Sequence, residues 1–116
     1  MKAIPSVEEM KSLSSDAINN EANVVVLPKD QEDALIRQYQ SGDFNALKEI
    51  LKHNICFVVS VAENYQDKGL EMTDLIAHGT RGLVEAAKTF DESKGVRFLS
   101  YAIWWIRQSI IEEIDK

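Results

Sequence analysis

The chain of 116 residues contains few residues that interrupt helices, with only 2 prolines and 5 glycines. Few breakers and long stretches with helical spacing of apolar residues favour an all-α domain. The single cysteine, Cys56, excludes an internal disulfide and agrees with a reducing compartment. No apolar run approaches the roughly 20 residues of a membrane span, and the N-terminus lacks the apolar segment of a secretion signal. We therefore expect a cytoplasmic protein that has no contact with membranes.

Positive charge is scarce, since the chain has 13 lysines and arginines but 19 aspartates and glutamates, and its formal net charge is -6. A general nucleic-acid binder is usually basic, so this balance argues against one. From Ala77 to Gln108 the balance reverses, with 5 basic and 3 acidic residues. We therefore expect any contact with DNA to be a small patch, with a larger basic partner supplying most of the phosphate contacts.

Residue patterns that support catalysis or metal binding are weak. His53 and Cys56 are three residues apart and could touch as a base and a thiol, but no third group is evident to orient them. His78 has Gly82 four residues later, so a helical pair of zinc ligands is missing. No glycine-rich phosphate loop is present. We expect no enzymatic activity, no cofactor and no metal site.

The chain divides into an irregular front and a helical back. Residues 1–28 show little periodicity, and we expect an N-terminal arm there that packs on the helices or is partly disordered. Residues 29–116 are expected to form one helical domain. Asp30 and Thr73 are predicted N-caps of its first and third helices. The four main helices are predicted over Asp30 to Gln40, about Phe44 to Gln66, about Thr73 to Phe90, and from about Arg97 to the chain end.

Two glycines, Gly79 and Gly82, interrupt the third predicted helix. A glycine inside a helix costs about 1 kcal/mol relative to alanine. Such a cost is offset where another backbone approaches closely, because a side chain would block the approach. The pair therefore indicates a close contact between helices.

The segment from Arg97 to Gln108 is the most informative part of the chain. On a helix its apolar side is predicted to contain Leu99, Ile103, Ile106, Ile110 and Ile114. The opposite side is predicted to contain Tyr101, Trp105, Gln108 and Glu112, with Arg97 and Trp104 close by. Large aromatic rings beside arginine and glutamine suit unpaired bases, because rings stack, cations meet phosphates and amides read base edges. The alternative is that both tryptophans belong to the core, since tryptophan is highly buried on average.

Three blocks of the sequence resemble conserved region two of bacterial sigma factors of the sigma-seventy class. The first block runs from Asn54 to Ala62, and the second keeps a frame from Gly69 to Asp91. The third comprises Phe98, Ser100-Tyr101-Ala102, Trp104-Trp105-Ile106-Arg107-Gln108 and Ile110. The resemblance extends from about Gln31 to the C-terminus. It implies an all-α domain that binds the clamp coiled coil of core RNA polymerase and the promoter's minus-ten element, with an anti-sigma factor as a further partner.

The resemblance implies a set of DNA-binding residues that hold the non-template strand. Tyr101 and Trp104 replace base stacking at the upstream edge of the melted region, and Trp105 supports that junction. Gln108 touches the last base pair upstream. The remaining members are the phosphate contacts Lys94 and Arg97, and Asn54, which lines the single-strand path.

The resemblance also implies a polymerase-binding surface, although this chain departs from the family there. The implied residues are Asp74, Ala77, His78, Thr80, Arg81 and Val84. The family commonly has Gln, Glu and Asn where this chain has Ala77, His78 and Thr80, so much polar contact is lost. The position after Gly95 is usually aromatic but here is Val96, and the acids at positions 112–113 replace basic or small residues.

Two functions therefore stay open. The first is promoter recognition by a domain that binds polymerase and helps to melt the minus-ten element. The second is a sigma-like interaction module that acts as a decoy or regulator without promoter opening. The sequence ends at Lys116, before the modules that read the minus-thirty-five element. We therefore expect either a fragment of a longer sigma factor or a divergent stand-alone version.

Overall fold

The computed structural model describes residues 27–116, which form four α-helices. They are α1 (Lys29–Gln40), α2 (Phe44–Glu63), α3 (Met72–Thr89) and α4 (Phe98–Ile114). Short 3-10 turns at Gln66–Lys68 and Glu92–Lys94 precede α3 and α4. The described part of the chain contains no strand, and the prediction of an all-α domain with four main helices is confirmed. Apart from positions 27 and 28, the predicted arm lies outside the described residues.

None of the helices within residues 27–116 has both the length and the apolarity needed to cross a bilayer.

The helix starts differ from the prediction at two of the four helices. The N-cap of α1 is Pro28 and that of α3 is Glu71, and neither side chain forms a capping hydrogen bond. Asp30 and Thr73 lie inside their helices, so their prediction as N-caps is wrong. Acids in the first turns favour both helix starts, because they face the positive end of the helix dipole.

Helix α3 is the centre of the domain and packs against each of the other three helices. Its buried residues include Leu75, Leu83 and Ala86. The largest side chains that are almost fully buried are Ile36, Tyr39, Leu47, Leu51, Ile55, Val58, Leu75, Leu83, Phe98, Ile106 and Ile110. All four helices thus contribute to one core, and the most extensive packing is that between α3 and α4.

The close approach of α3 to α4 occurs at Gly82. A Cβ atom built on Gly82 would lie 2.8 Å from the Cα atom of Ile106 and would also meet the backbone of Trp105. At Gly79 the nearest neighbours are side chains, with Val58 Cγ1 at 2.9 Å and Ile110 Cδ1 at 3.3 Å. The predicted close contact between helices is therefore confirmed, and its backbone-to-backbone part lies at Gly82.

Helix α1 ties together the segment that connects α3 to α4. Gln40 donates through Nε2 to the carbonyl oxygens of Ala87 and Phe90, at 2.9 and 3.0 Å. Arg37 forms an ion pair with Glu92 in the turn before α4. These contacts hold the start of α4 close to the end of α3.

The buried carboxylate of Glu32, also on α1, faces the N-terminus of α4. Its Oε1 atom lies 3.7 Å from Nη2 of Arg97, the N-cap residue of α4. Burial raises the pKa of Glu32, and the charge of Arg97 and the backbone amide of Phe98 act in the opposite direction. Glu32 therefore complements the positive end of the α4 dipole from a neighbouring helix.

Candidate nucleic-acid interface

The buried side of α4 is rotated relative to the predicted stripe. Phe98, Ala102, Ile106 and Ile110 are buried, and their spacing of four residues follows one side of the helix. The predicted core residues Leu99, Ile103 and Ile114 are only half-buried. Sequence spacing alone could not locate the centre of this stripe, because apolar residues occupy most of the helix circumference. Packing against α3 selected the side that includes the small residue Ala102.

The aromatic rings of α4 and Phe90, at the end of α3, form a continuous series that begins in the core. Phe98 contacts Phe90 at 5.4 Å between ring centroids, and Phe90 contacts Tyr101 at 5.6 Å. Tyr101 is followed by Trp105 at 6.3 Å and Trp105 by Trp104 at 5.4 Å. The series ends at the surface, because the side chain of Trp104 is 59% exposed. The alternative that both tryptophans belong to the core is therefore wrong.

Trp105 links the exposed ring to the core. It is half-buried and packs against the buried cluster, while its ring lies at 89° to that of Trp104. Such edge-to-face pairs are a favourable geometry for aromatic rings. The indole of Trp104 is thus supported on one side by another aromatic ring and open to solvent elsewhere.

The Tyr101 ring is held in place through its hydroxyl group. The Tyr101 hydroxyl lies 2.7 Å from Oγ1 of Thr89, at the end of α3. Oγ1 of Thr89 donates to the carbonyl oxygen of Glu85 at 3.1 Å. The hydrogen-bonding group of Tyr101 is therefore engaged within the domain, and its half-buried ring provides contact area.

Two cationic side chains lie at the start of α4. Lys94 is exposed and follows a turn in which the Asp91 carboxylate accepts from the Ser93 backbone amide and hydroxyl, at 3.0 and 2.6 Å. These hydrogen bonds lower the pKa of Asp91. Arg97 is exposed, but it also donates to the carbonyl oxygen of Leu27 at 3.2 Å. The phosphate contacts assigned to Lys94 and Arg97 stay predictions.

An open groove of about 340 Å³ runs between α3 and α4 beside the exposed tryptophan. Its lining combines aromatic, amide and charged side chains of both signs. The lining residues are His78, Arg81, Glu85, Trp104, Trp105, Gln108, Ser109, Glu112, Glu113 and Lys116. Gln108 is half-buried at this groove, next to the two tryptophans in the lining. The groove therefore brings together three of the predicted DNA-binding residues.

The end of the groove holds a cluster of Glu113, His78 and Lys116 that the sequence did not indicate. Oε2 of Glu113 lies 3.6 Å from Nδ1 of His78 on α3 and 3.2 Å from Nζ of Lys116. His78 was predicted as a polymerase contact but is only 9% exposed. Glu113 and Lys116 repeat at helical spacing after Trp105, which places them at the groove. Their pairing with His78 requires the packing of α3 on α4.

Three of the predicted polymerase contacts, Ala77, Thr80 and Val84, are core residues of the domain, and their role in polymerase binding stays a prediction. Ala77 is 1% exposed, and Thr80 and Val84 are 0% exposed. Oγ1 of Thr80 donates to the carbonyl oxygen of Ile76 at 2.7 Å, within its own helix. Small and apolar side chains at these positions pack into the domain. Arg81 is exposed and Asp74 is partly exposed, so only these two of the predicted contacts have substantial access to solvent.

Asn54 also lies in the core of the domain, and its role as a residue lining the single-strand path stays a prediction. Its side chain is 4% exposed and donates through Nδ2 to the carbonyl oxygen of Ile50 at 2.7 Å. Asn54 lies on the side of α2 that carries Leu51, Ile55 and Val58, all of which are buried. An amide in such a position satisfies its donor with the backbone of the preceding turn.

The fold and the geometry of this site define an all-α domain with an aromatic face, formed by Tyr101, Trp104 and Trp105, beside a groove lined by charged residues. A family model, Sigma-70 region 2, matches residues 50–116, which is more than half of the chain. The chain therefore belongs to the Sigma-70 region 2 family. The resemblance stated from the sequence blocks is confirmed by this match.

Curated relatives agree with the family assignment. The chain is 42% identical over 85 residues to the RNA polymerase sigma-C factor of Myxococcus xanthus, covering 73% of this chain and 29% of that protein. It is 41% identical over 91 residues to the RNA polymerase sigma factor SigA of Listeria monocytogenes, covering 78% of this chain and 24% of that protein. The chain thus spans less than a third of the length of these relatives.

Proposed function

We propose that this chain acts in transcription initiation as a sigma factor domain that binds core RNA polymerase and the promoter's minus-ten element. The proposed role is non-enzymatic and belongs in the cytoplasm. Membership of the family supports the general role, since relatives named RNA polymerase sigma factors share 41 to 42% identity with the chain. The observation that supports binding to the minus-ten element is the exposure of Trp104, which is 59% accessible at the end of a series of aromatic rings.

The aromatic face provides stacking contacts that replace those an unpaired base loses when it leaves the duplex. A base that leaves its stack gives up contact area on both of its faces, and an aromatic ring replaces that area at about 1–3 kcal/mol per base. Trp104 offers the open ring, Trp105 supports it, and Tyr101 is oriented by its hydrogen bond to Thr89. Rings that are already fixed lose little side-chain entropy on binding. The face is therefore prepared to hold bases of the non-template strand and to favour the melted state.

The cations near this face hold the phosphate backbone, and the polymerase provides the remaining affinity. We assign phosphate contacts to Lys94 and Arg97 at the start of α4. The net charge of -6 opposes tight binding of DNA by the chain alone. Assembly with a basic partner offsets that repulsion, because it brings the domain and the DNA to one site. Binding to promoter DNA is therefore expected to depend on core RNA polymerase.

The contact with the polymerase clamp is proposed to use the exposed side chains of α3. Asp74 and Arg81 are the predicted contacts that reach solvent, and Arg81 and His78 line the groove between α3 and α4. Ala77, Thr80 and Val84 act by packing α3 rather than by touching the partner. An anti-sigma factor is proposed as a further partner of the same domain.

Two binding measurements test the proposed function. The first is a pull-down of core RNA polymerase with the full chain, in which we expect retention of the polymerase at micromolar concentration. The second is quenching of tryptophan fluorescence by a minus-ten-like single strand, compared with a scrambled strand and with duplex DNA. We expect the minus-ten-like strand to bind best, and to bind more tightly when the polymerase is present.

The Arg81→Glu variant tests the proposed contact surface in the pull-down. The Arg81 side chain is exposed, and the substitution reverses its charge. We expect it to change polymerase binding without changing the thermal unfolding of the domain. A chain that retains no polymerase and shows no preference for the minus-ten-like strand would falsify the proposed function.

A second candidate function is that of a sigma-like interaction module without promoter opening. The observation that favours it is the net charge of -6, which opposes binding of DNA. This candidate predicts binding to polymerase or to another protein without any binding of the minus-ten-like strand. The two measurements above therefore distinguish the candidates.

A further inference from the structure

The carboxylate of Glu112 stands on the same side of α4 as the exposed aromatic ring. Trp104, Gln108 and Glu112 follow at intervals of four residues, and all three line the groove between α3 and α4. At about 1.5 Å per residue, Gln108 lies roughly 6 Å along the helix axis from Trp104, and Glu112 roughly 6 Å farther. Each step corresponds to one or two base pairs at about 3.4 Å per pair.

The two neighbouring acids at the end of α4 differ in the partners that the fold gives them. Glu113 is held by His78 at 3.6 Å and by Lys116 at 3.2 Å. Glu112 is exposed, and within residues 27–116 it takes part in no hydrogen bond or ion pair. The Glu112 carboxylate is therefore available to a binding partner, whereas that of Glu113 is already used.

An ionised carboxylate can only accept hydrogen bonds, and this limits the base edges that it contacts favourably. In the major groove, cytosine presents its N4 amino group as a donor, whereas guanine and thymine present acceptors. Adenine presents an amino donor next to the N7 acceptor, a pair that suits a glutamine amide better. Because phosphates repel a carboxylate, Glu112 needs a matching donor to approach DNA without loss of affinity. Cytosine is the base that provides this donor without an adjacent acceptor.

We propose that Glu112 is a specificity-determining residue that selects a cytosine one or two base pairs upstream of the pair that Gln108 faces. The inference rests on the proposed function, since α4 must lie along promoter DNA with Trp104 at the single-stranded end. Gln108 and Glu112 then meet successive parts of the upstream duplex. The pair of side chains combines an amide that reads adenine with a carboxylate that reads cytosine.

The test uses fork DNA, in which an upstream duplex continues as a minus-ten-like non-template single strand. The full chain is assembled with core RNA polymerase, and all four base pairs are placed in turn at each of the two upstream positions. At one of these positions we expect the parent to bind the cytosine fork at least about fivefold more tightly than the guanine or thymine fork. Glu112→Gln should lose this preference, and Glu112→Arg should move it to guanine, the base that arginine contacts in a bidentate manner.

Asp115→Asn is the matched control, because Asp115 is exposed, lies three residues after Glu112 and is not part of the groove lining, so the change removes one negative charge but leaves Glu112 intact. We expect it to keep the preference for cytosine. Equal binding of all four forks by the parent would overturn the inference, as would an unchanged preference in Glu112→Gln. If the parent binds forks without base preference, only the inference fails. If it binds no fork even with polymerase present, the proposed function fails and the inference fails with it.

Discussion

At the scale of single residues, the exposure of Trp104 is the feature that most needs a partner. A large aromatic ring that is 59% exposed loses contact area that burial would have provided. The fold does not leave this ring loose, because Trp105 packs against it at 5.4 Å. The combination of exposure and support is typical of a surface that receives a flat ligand.

Replacing Trp104 with alanine should weaken binding of a minus-ten-like single strand roughly tenfold or more, because one stacking platform is lost. The measurement is the titration described for the proposed function, followed by anisotropy of a labelled strand. Phe44→Ala is the matched control, since Phe44 is also an exposed ring, at 44%, but begins α2. Equal affinity of the parent and Trp104→Ala would show that the aromatic face is structural.

At the scale of helices, the contact between α3 and α4 decides how the aromatic face is presented. Gly82 allows the backbone of α4 to lie against α3, and this approach fixes which side of α4 is buried. Glu32 and Arg37 on α1 add a second constraint at the N-terminal end of α4. The aromatic helix is therefore held along its length by α3 and at its start by α1.

Gly82→Ala should lower the free energy of unfolding by roughly 1–3 kcal/mol, even though alanine favours helix formation. The added methyl group would meet backbone atoms of Trp105 and Ile106, and backbone cannot rotate away. Gly79→Ala should cost less, because its neighbours are side chains of Val58 and Ile110 that can shift. Urea unfolding of both variants provides the comparison. A Gly82→Ala protein as stable as the parent would contradict the close approach of the two backbones.

The raised pKa of Glu32 predicts a pH dependence of stability. The folded state favours the protonated carboxyl, because burial penalises the charge. The folded protein therefore binds a proton more tightly than the unfolded chain does, so this contribution is full below the ordinary pKa of 4.5. It is lost as the pH rises through the raised pKa of the folded state.

Comparison with Glu32→Gln isolates this contribution, because glutamine does not titrate. The stability of the parent relative to Glu32→Gln should fall as the pH rises from below 4.5 to neutral. Urea unfolding of both proteins across this range is the measurement. A constant difference between the two proteins would show that Glu32 has the same pKa in the folded and unfolded states.

At the scale of the whole molecule, charge separates the two functional candidates. The net charge of -6 limits any contact with DNA to a few cations near α4. The same negative charge favours association with a basic protein surface. Under the proposed function, we therefore expect promoter DNA to be bound by the domain in complex with polymerase and only weakly by the chain alone.

The salt dependence of single-strand binding reports how many phosphates the domain contacts. Each phosphate contact contributes about -0.7 to the slope of log affinity against log salt concentration. Lys94→Ala should make the slope shallower by about this amount and weaken all sequences alike. Lys48→Ala is the control, since Lys48 is an exposed cation on a different helix, α2. An unchanged slope in Lys94→Ala would remove Lys94 from the phosphate contacts.

The sequence by itself determined the helical class, the approximate helix bounds and the family, because these depend on periodicity, breakers and rare residue strings. It also indicated the close contact at Gly82, since a glycine within a helix weakens the helix unless a neighbouring backbone occupies the space of the missing side chain. Capping was predicted less well, because Asp30 and Thr73 are suitable N-cap residues but lie one position beyond the first residue of each helix. Local preference cannot fix a helix end when the chain before it is directed by tertiary packing.

Only the tertiary structure decided which residues face solvent. The resemblance implies that Asn54, Thr80 and Val84 contact DNA or polymerase, yet they are buried in this domain, because burial depends on which helices pack against each position. The pairing of Glu113 with His78 could not be predicted either, since the two residues are 35 positions apart and meet only when α3 packs on α4. Periodicity describes one helix at a time, whereas a site formed by two helices depends on the rotation of each about its own axis.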